Sequence, residues 1–349
     1  MTEKAARRRL DRRVAWAAAL VGVAAGVFWQ RRDDAVHVFE GPTMGSTYTV
    51  SVDADLTTED DSRVRGAIAL ELRRVTDLMS TYEPGSEISR FNAHRSTEPF
   101  EVSQEVFSVI WQAREVSEDS GGAFDVTVAP LVDAWGFGPR DRTGPLPDEE
   151  RLAALLRIVG YEGLGLDGES RTLTKVDPGI EIDLSGIAQG YGADAVASAL
   201  RGLGLTNFLV DVGGEIRAVG TRRNGRPWRV GIERPDGAAE VWGTVDLADE
   251  GIATSGDYRN YFEEGGVRYA HIIDPRTGQP IHSRNASVTV LYPTAALADA
   301  WATALCVLGP VEGYELARRE GIAALFITQA EGRLEYRVTP AMEDRVTVE

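Results

Sequence analysis

The chain has 349 residues, 43% of them apolar and 26% charged, with a formal net charge of −17. That balance suits a folded protein with a large core of one or two domains and excludes a disordered one. The acidity argues against a nucleic-acid partner, whose recognition needs basic patches.

The charge is unevenly spread. Residues 1–32 hold eight Lys/Arg and two Asp/Glu, a local +6 that leaves −23 on the remainder. The basic stretch KAARRRLDRR precedes an uncharged apolar run over residues 14–29, sixteen residues with Trp16 and Trp29 near its ends. Such a segment predicts an N-terminal signal or transmembrane anchor over residues 1–30. Its basic flank favours an N-in orientation, with the rest of the chain on the far side of the cytoplasmic (inner) membrane, facing outside or periplasm. Val23-Ala24-Ala25 offers a cleavage site, but the apolar run continues through Phe28 and Trp29, so an uncleaved anchor is preferred. No cysteine follows the run, which excludes a lipoprotein anchor, and the lone Cys306 reads as a small buried hydrophobe.

Residues 31–40 read as a polar linker and 41–349 as one globular unit without repeats. The turn-rich GPTMGS leads into a strand over 47–52, and 60–79 places Val64, Ile68, Leu72, Val75 and Met79 on one helical face. The polar STYEPGSEISRFN reads as a loop; a helix over 104–120 then stops at Gly121-Gly122. Residues 124–128 are strand-like and 130–138 form an aromatic loop or short helix. A surface insertion over 139–149 precedes a helix at 151–159.

At EIDLSGIAQGYGAD, residues 181–194, an alternating apolar strand feeds a helix, with Ser185 where an N-cap belongs. Gly186, Gly190 and Gly192 are costly in first helical turns. They imply either a phosphate at the helix N-terminus or close packing of the helix against its sheet, and without a GxGxxG or P-loop spacing both readings stay open. Further strands are expected at 208–219 (two, around Gly213-Gly214), 228–233, 241–247, 268–273, 287–292, 324–328 and 334–338. Helices are expected at 294–308 and 310–320. The class is therefore α+β with mixed or antiparallel sheets and several long helices.

Three further clusters are candidates to carry chemistry, against plain readings of the first as an ordinary turn and of the histidine in the second as structural. ATSGDYRNYF, residues 253–262, is a polar loop followed by aromatics. HIIDPRTGQPI sets His271, one of four histidines, beside a polar turn, which makes it a candidate proton acceptor. In ADAWATAL, Asp299 and Thr303 share one face of an otherwise apolar helix. A carboxylate buried there needs a partner or a metal, and oxygen donors suit Mg²⁺; a local cap or salt bridge is the other reading.

Taken in order, GPTMGSTY, MSTYEPGSEISRFN, GGAFDVTVAPLVDAWGFG, EIDLSGIAQGYGAD, FLVDVGGEIRAVG, ATSGDYRNYF, HIIDPRTGQPI and ADAWATAL resemble the ApbE family of FAD:protein FMN transferases. The resemblance implies an ApbE-like, T-fold-related catalytic domain that transfers FMN from FAD, with Mg²⁺, to a Ser or Thr hydroxyl of a partner protein and releases AMP. It implies an FAD site lined by Met44, Tyr82, Ala123, Phe124, Asp125, Asp183, Gln189 and Ile273. It also implies a metal site from the Gly186 carbonyl, Asp299, Ala302 and Thr303. Gln189 and Ala302 depart from the charged residues that such positions can carry in the family, so Gln189 offers no ionic contact and Ala302 only its carbonyl. The acceptor is expected to be a membrane electron-transfer subunit. Two alternatives are an FAD pyrophosphatase, with water as acceptor, and a non-catalytic flavin carrier.

Overall fold

The computed structural model describes residues 36–140, 142, 144–235, 240–256, 261–281, 285–330 and 333–348. The expected anchor over 1–30 lies outside these residues, as do residues 31–35 of the linker and 257–260 of the ATSGDYRNYF cluster.

Strand β1 (His37–Thr43) begins inside the stretch expected as linker, because Phe39 is fully buried. A two-residue turn at Met44-Gly45, with φ of 47° and 71°, joins it to β2 (Ser46–Val52). Positive φ at both positions is what a type I′ hairpin turn requires. Helix α1 (Thr58–Met79) opens with a Thr57/Asp60 capping box and buries the five residues that the helical period selects. Helix α2 (Glu87–Ala93) stands where a loop was expected. Its signal was a Ser86 N-cap ahead of buried Ile88 and Phe91, hidden among polar residues.

There follow β3 (Phe100–Glu101), α3 (Gln104–Asp119), α4 (Ala129–Trp135), α5 (Glu149–Leu155), β4 (Leu164–Asp167) and β5 (Thr172–Lys175). The strand expected over 124–128 is instead a 3-10 turn, Val126–Val128, because the Asp125 side chain accepts the Thr127 N–H and winds the backbone. Helix α6 (Ala188–Gly202) precedes β6 (Phe208–Val212), β7 (Glu215–Val219), β8 (Trp228–Glu233), β9 (Val241–Leu247) and β10 (Gly251–Ser255). The hairpin β11 (Tyr261–Glu264) and β12 (Val267–Ala270) comes next, then β13 (Asn285–Tyr292) and α7 (Ala295–Arg319). The described chain closes with β14 (Ala323–Ala330), β15 (Arg333–Val338) and β16 (Val346–Val348). The predicted pair of helices at 294–308 and 310–320 forms one element, broken by non-helical backbone at Gly309.

The main sheet has eight strands in the order β1-β2-β6-β7-β10-β13-β14-β15, every neighbouring pair antiparallel. Along β6, side chains alternate between two cores. Phe208, Val210 and Val212 meet Ile68, Leu72, Val196 and Leu200 on the helical face. Leu209 turns to the opposite face, where β8, β9 and β16 form a second sheet bearing Trp228, Val230 and Val245. Helix α7 lies on the helical face and is the one described helix long and apolar enough to cross a membrane, yet most of it is buried as a core helix. A Cβ at Gly190 would come 2.3 Å from the Ala295 carbonyl oxygen, and one at Gly251 2.5 Å from the Ala295 nitrogen. Both glycines thus let α6 and β10 press on the first turn of α7.

Candidate active site

Five pieces of chain converge: the N-terminal end of α6, the first half of α7, the end of β10 and the loops at 120–128 and 180–187. Asp299 projects from α7 and is only 6% exposed. The Gly190 N–H, from the first turn of α6, donates to its Oδ2 at 3.3 Å. No Arg, Lys or His pairs with it among the described residues. Burial pushes its carboxyl up to about 7, opposed by that single N–H. One turn further on, Thr303 Oγ1 shares a hydrogen bond of 3.2 Å with Ser255 Oγ at the end of β10.

Gly186 faces this pair. A Cβ added there would lie 3.1 Å from the Phe124 ring and 3.4 Å from Thr303 Oγ1. The groups brought together are therefore one carboxylate without a cation partner among the described residues and one hydroxyl, with Gly186 beside the hydroxyl. They fit a hard oxygen-seeking cation such as Mg²⁺, which takes few protein ligands and keeps room for water and phosphate oxygens. No group of three or more His, Cys, Asp or Glu suited to zinc occurs among the described residues.

The 180–187 segment differs from its sequence-based reading. Residues 180–184 belong to no strand, and the α6 N-cap is Ile187 with no side-chain cap. Ser185 fails as N-cap because its hydroxyl and N–H both turn back onto Asp183 Oδ1. The Ile187 and Ala188 N–H groups close onto the Leu184 carbonyl. Together with the Gly190 bond to Asp299, this makes the helix terminus less open to phosphate than the glycine pattern alone implied. Of the three glycines, Gly190 serves packing. Gly192 makes ordinary contact near the Met44 sulfur, and only Gly186 faces the candidate donors.

The remaining expected residues differ in their surroundings. Ala123 and Phe124 are buried in the largest core, so Phe124 supports Gly186 from below. Tyr82 is 63% exposed, and its hydroxyl donates to the Phe137 carbonyl at 3.0 Å. Both Asp125 oxygens are spent on the protein: Oδ1 accepts the N–H and hydroxyl of Thr127, and Oδ2 accepts the Tyr161 N–H. Burial still raises its carboxyl above the ordinary range. The Gln189 amide rests against Gly213 in the β6–β7 turn, 2.7 Å from where a Cβ would stand. Ile273 packs with Leu131, Trp135 and Leu152 and bridges to Pro280. His271 meets the Phe137 ring edge-on at 6.4 Å.

Two contributors were not singled out from sequence. Ser255 belongs to a cluster read as a loop, but it ends a central strand. Asp194, inside the glycine-rich motif, accepts the Ala295 and Ala296 N–H groups and so fastens α6 to the start of α7. A carboxylate aimed at a helix N-terminus is a recognised signal, but here helix and carboxylate are about a hundred positions apart.

The fold is shared with the flavin transferase ApbE from Vibrio cholerae, at a TM-score of 0.82 and 40% identity over 90% of this chain and 100% of that one. The apo flavinyl transferase ApbE from Pseudomonas stutzeri aligns at a TM-score of 0.80 and 36% identity, covering 91% of this chain and 98% of that one. The chain belongs to the ApbE family, whose model matches residues 44–326. Among curated relatives, an FAD:protein FMN transferase of Vibrio cholerae is 43% identical, covering 92% of this chain and 96% of that protein. Another, from Escherichia coli, is 39% identical over 84% of each.

Proposed function

We propose that this enzyme is an FAD:protein FMN transferase that moves FMN from FAD to a Ser or Thr hydroxyl of a partner protein, in a Mg²⁺-dependent reaction. The acceptor oxygen attacks the phosphorus of the FMN half, a new O–P bond forms as the pyrophosphate P–O bond breaks, and AMP leaves with the bridging oxygen. The observation that carries the reading is Asp299, a buried carboxylate without a cation partner among the described residues, converging with Thr303 and Gly186 in a chain of this family.

Asp299 supplies the anionic ligand, Thr303 a hydroxyl that Ser255 orients, and Gly186 and Ala302 their carbonyls. Bound Mg²⁺ supplies neutralisation of pyrophosphate charge, the main demand of phosphoryl-type transfer. Gly186 leaves space for the substrate, Tyr82 offers an exposed ring to a flat heterocycle, and His271 accepts the proton of the incoming hydroxyl. The acceptor is a membrane electron-transfer subunit. The basic and apolar residues 4–29 anchor the enzyme at the outer face of the inner membrane.

Incubating the protein with FAD and Mg²⁺, with and without a candidate acceptor, tests the activity. AMP released only with acceptor supports transfer. AMP without acceptor makes it a pyrophosphatase, and no AMP in either case makes it a carrier. Protease added to spheroplasts should remove the globular part; full protection would reverse the topology.

A further inference from the structure

The candidate site depends on residues 180–186, of which 180–184 belong to no strand and 185–186 lie in the turn that leads into α6, so the backbone groups of 180–184 must be satisfied some other way. One side chain does most of this at Ile182. Asn92, in the last turn of α2, donates from Nδ2 to the Ile182 carbonyl at 2.8 Å and accepts the Ile182 N–H on Oδ1 at 2.7 Å. A single amide thus bonds both backbone groups of one residue, as a paired strand would. The Ile182 side chain is fully buried, which ties the segment to the core at that point.

The chain next to this bridge leads straight to the site. The Asp183 N–H donates to the Val126 carbonyl at 2.7 Å, Asp183 Oδ1 accepts the Ser185 N–H at 2.8 Å, and Gly186 then abuts Phe124 and Thr303. Asn92 itself is held firmly. Ile88 and Phe91 of α2 are fully buried, and Lys175 Nζ donates to the Phe91 and His94 carbonyls on either side of it.

We infer that Asn92 is a positioning residue for flavin binding. By standing in for the missing strand, it fixes the backbone at Ile182 and so places Asp183 and Gly186 against the substrate. The inference rests on the reading of those two residues as part of the FAD site. Removing the amide leaves a buried N–H and C=O without partners, and the segment must move to regain them.

Flavin-fluorescence titration of FAD onto the full chain tests this with three variants. Asn92→Ala should weaken FAD binding about tenfold while unfolding stays cooperative. Thr339→Ala is the control. The Thr339 hydroxyl also bonds two backbone groups, accepting the Ala324 N–H and donating to the Ile322 carbonyl, at the β14–β15 end of the sheet. It should lower the melting temperature and leave FAD affinity unchanged.

Asn92→Asp adds a readout that a merely structural role would not move. A protonated carboxyl presents one O–H donor and one acceptor, like the amide, whereas the carboxylate repels the Ile182 carbonyl. Its affinity relative to wild type should therefore recover as pH falls, and the same ratio for Asn92→Ala should stay flat. Wild-type affinity in Asn92→Ala, equal weakening in Thr339→Ala, or no recovery in Asn92→Asp would each overturn the inference. A wild-type protein that binds no FAD would remove the functional reading and this inference with it. Binding by wild type with Asn92→Ala unaffected would remove the inference alone.

Discussion

Residues 180–184, Ile-Glu-Ile-Asp-Leu, and residues 208–212, Phe-Leu-Val-Asp-Val, have nearly the same pattern, yet only the second is a strand. Each has at its fourth position an aspartate whose Oδ1 accepts a backbone N–H in the following turn, Ser185 in one case and Gly214 in the other. The difference lies at the second position. Leu209 is buried between two sheets, so β6 is apolar on both faces and pairs with β2 and β7. Glu181 instead holds Arg95 and Arg140, so its segment has one apolar face and is fastened by side chains. A laddered strand gives stability, whereas a segment held by side chains places individual groups for chemistry.

That contrast predicts that function and stability can be lost separately. Asp299→Asn keeps the shape but removes the charge at the side-chain-built site. Acceptor-dependent AMP release should fall on the order of a hundredfold or more, with little change in melting temperature. A folded variant with an unchanged Mg²⁺ requirement would return Asp299 to a local structural role. Phe208→Ala is the converse, on the laddered side. It should cost about 3–5 kcal/mol in denaturant unfolding, while the folded fraction binds FAD as wild type does. Weakened FAD binding there would erase the distinction between the two regions.

Thr303→Val sharpens the comparison within the site. A neutral hydroxyl contributes less than a carboxylate, so the Mg²⁺ concentration for half-maximal AMP release should rise only about three- to tenfold. A larger shift than for Asp299→Asn would invert the proposed ranking. The smallest effect concerns Lys175, whose ammonium is buried beneath α2. Burial lowers its pKa from 10.5 to about 8, with Arg95 adding to the shift. Between these values the unfolded chain binds more protons than the folded one, so this group's destabilising influence is full below about 8 and fades as pH rises toward 10.5. Lys175→Met should flatten that rise in urea-unfolding stability, and an unchanged pH slope would show that Lys175 does not cause it.

Much of this frame was legible in the sequence. The stripe on α1, the β6–β7 pair around Gly213-Gly214 and the shared face of Asp299 and Thr303 follow from period and spacing alone, since local geometry decides them. What escaped was decided by distant partners. No local pattern marks Asn92 as the substitute for a strand beside Ile182, ninety positions away. Nor could spacing reveal that Gly190 yields to the backbone of α7 or that Asp194 caps that helix. Helix α2 was missed for the opposite reason, since its two buried apolar residues are too few to stand out from the polar run around them.

The order of strands in the main sheet also bears on how the chain folds as it is made. Val52 in β2 pairs with Phe208 in β6, a partner that leaves the ribosome 156 positions later. At ordinary synthesis rates the first hairpin waits roughly ten to thirty seconds with one edge open and Phe39, Val50 and Val52 uncovered. During that interval the tight Met44-Gly45 turn is what keeps β1 and β2 in register, so a residue proposed for the flavin site has a second role, in guarding the nascent chain against mispairing.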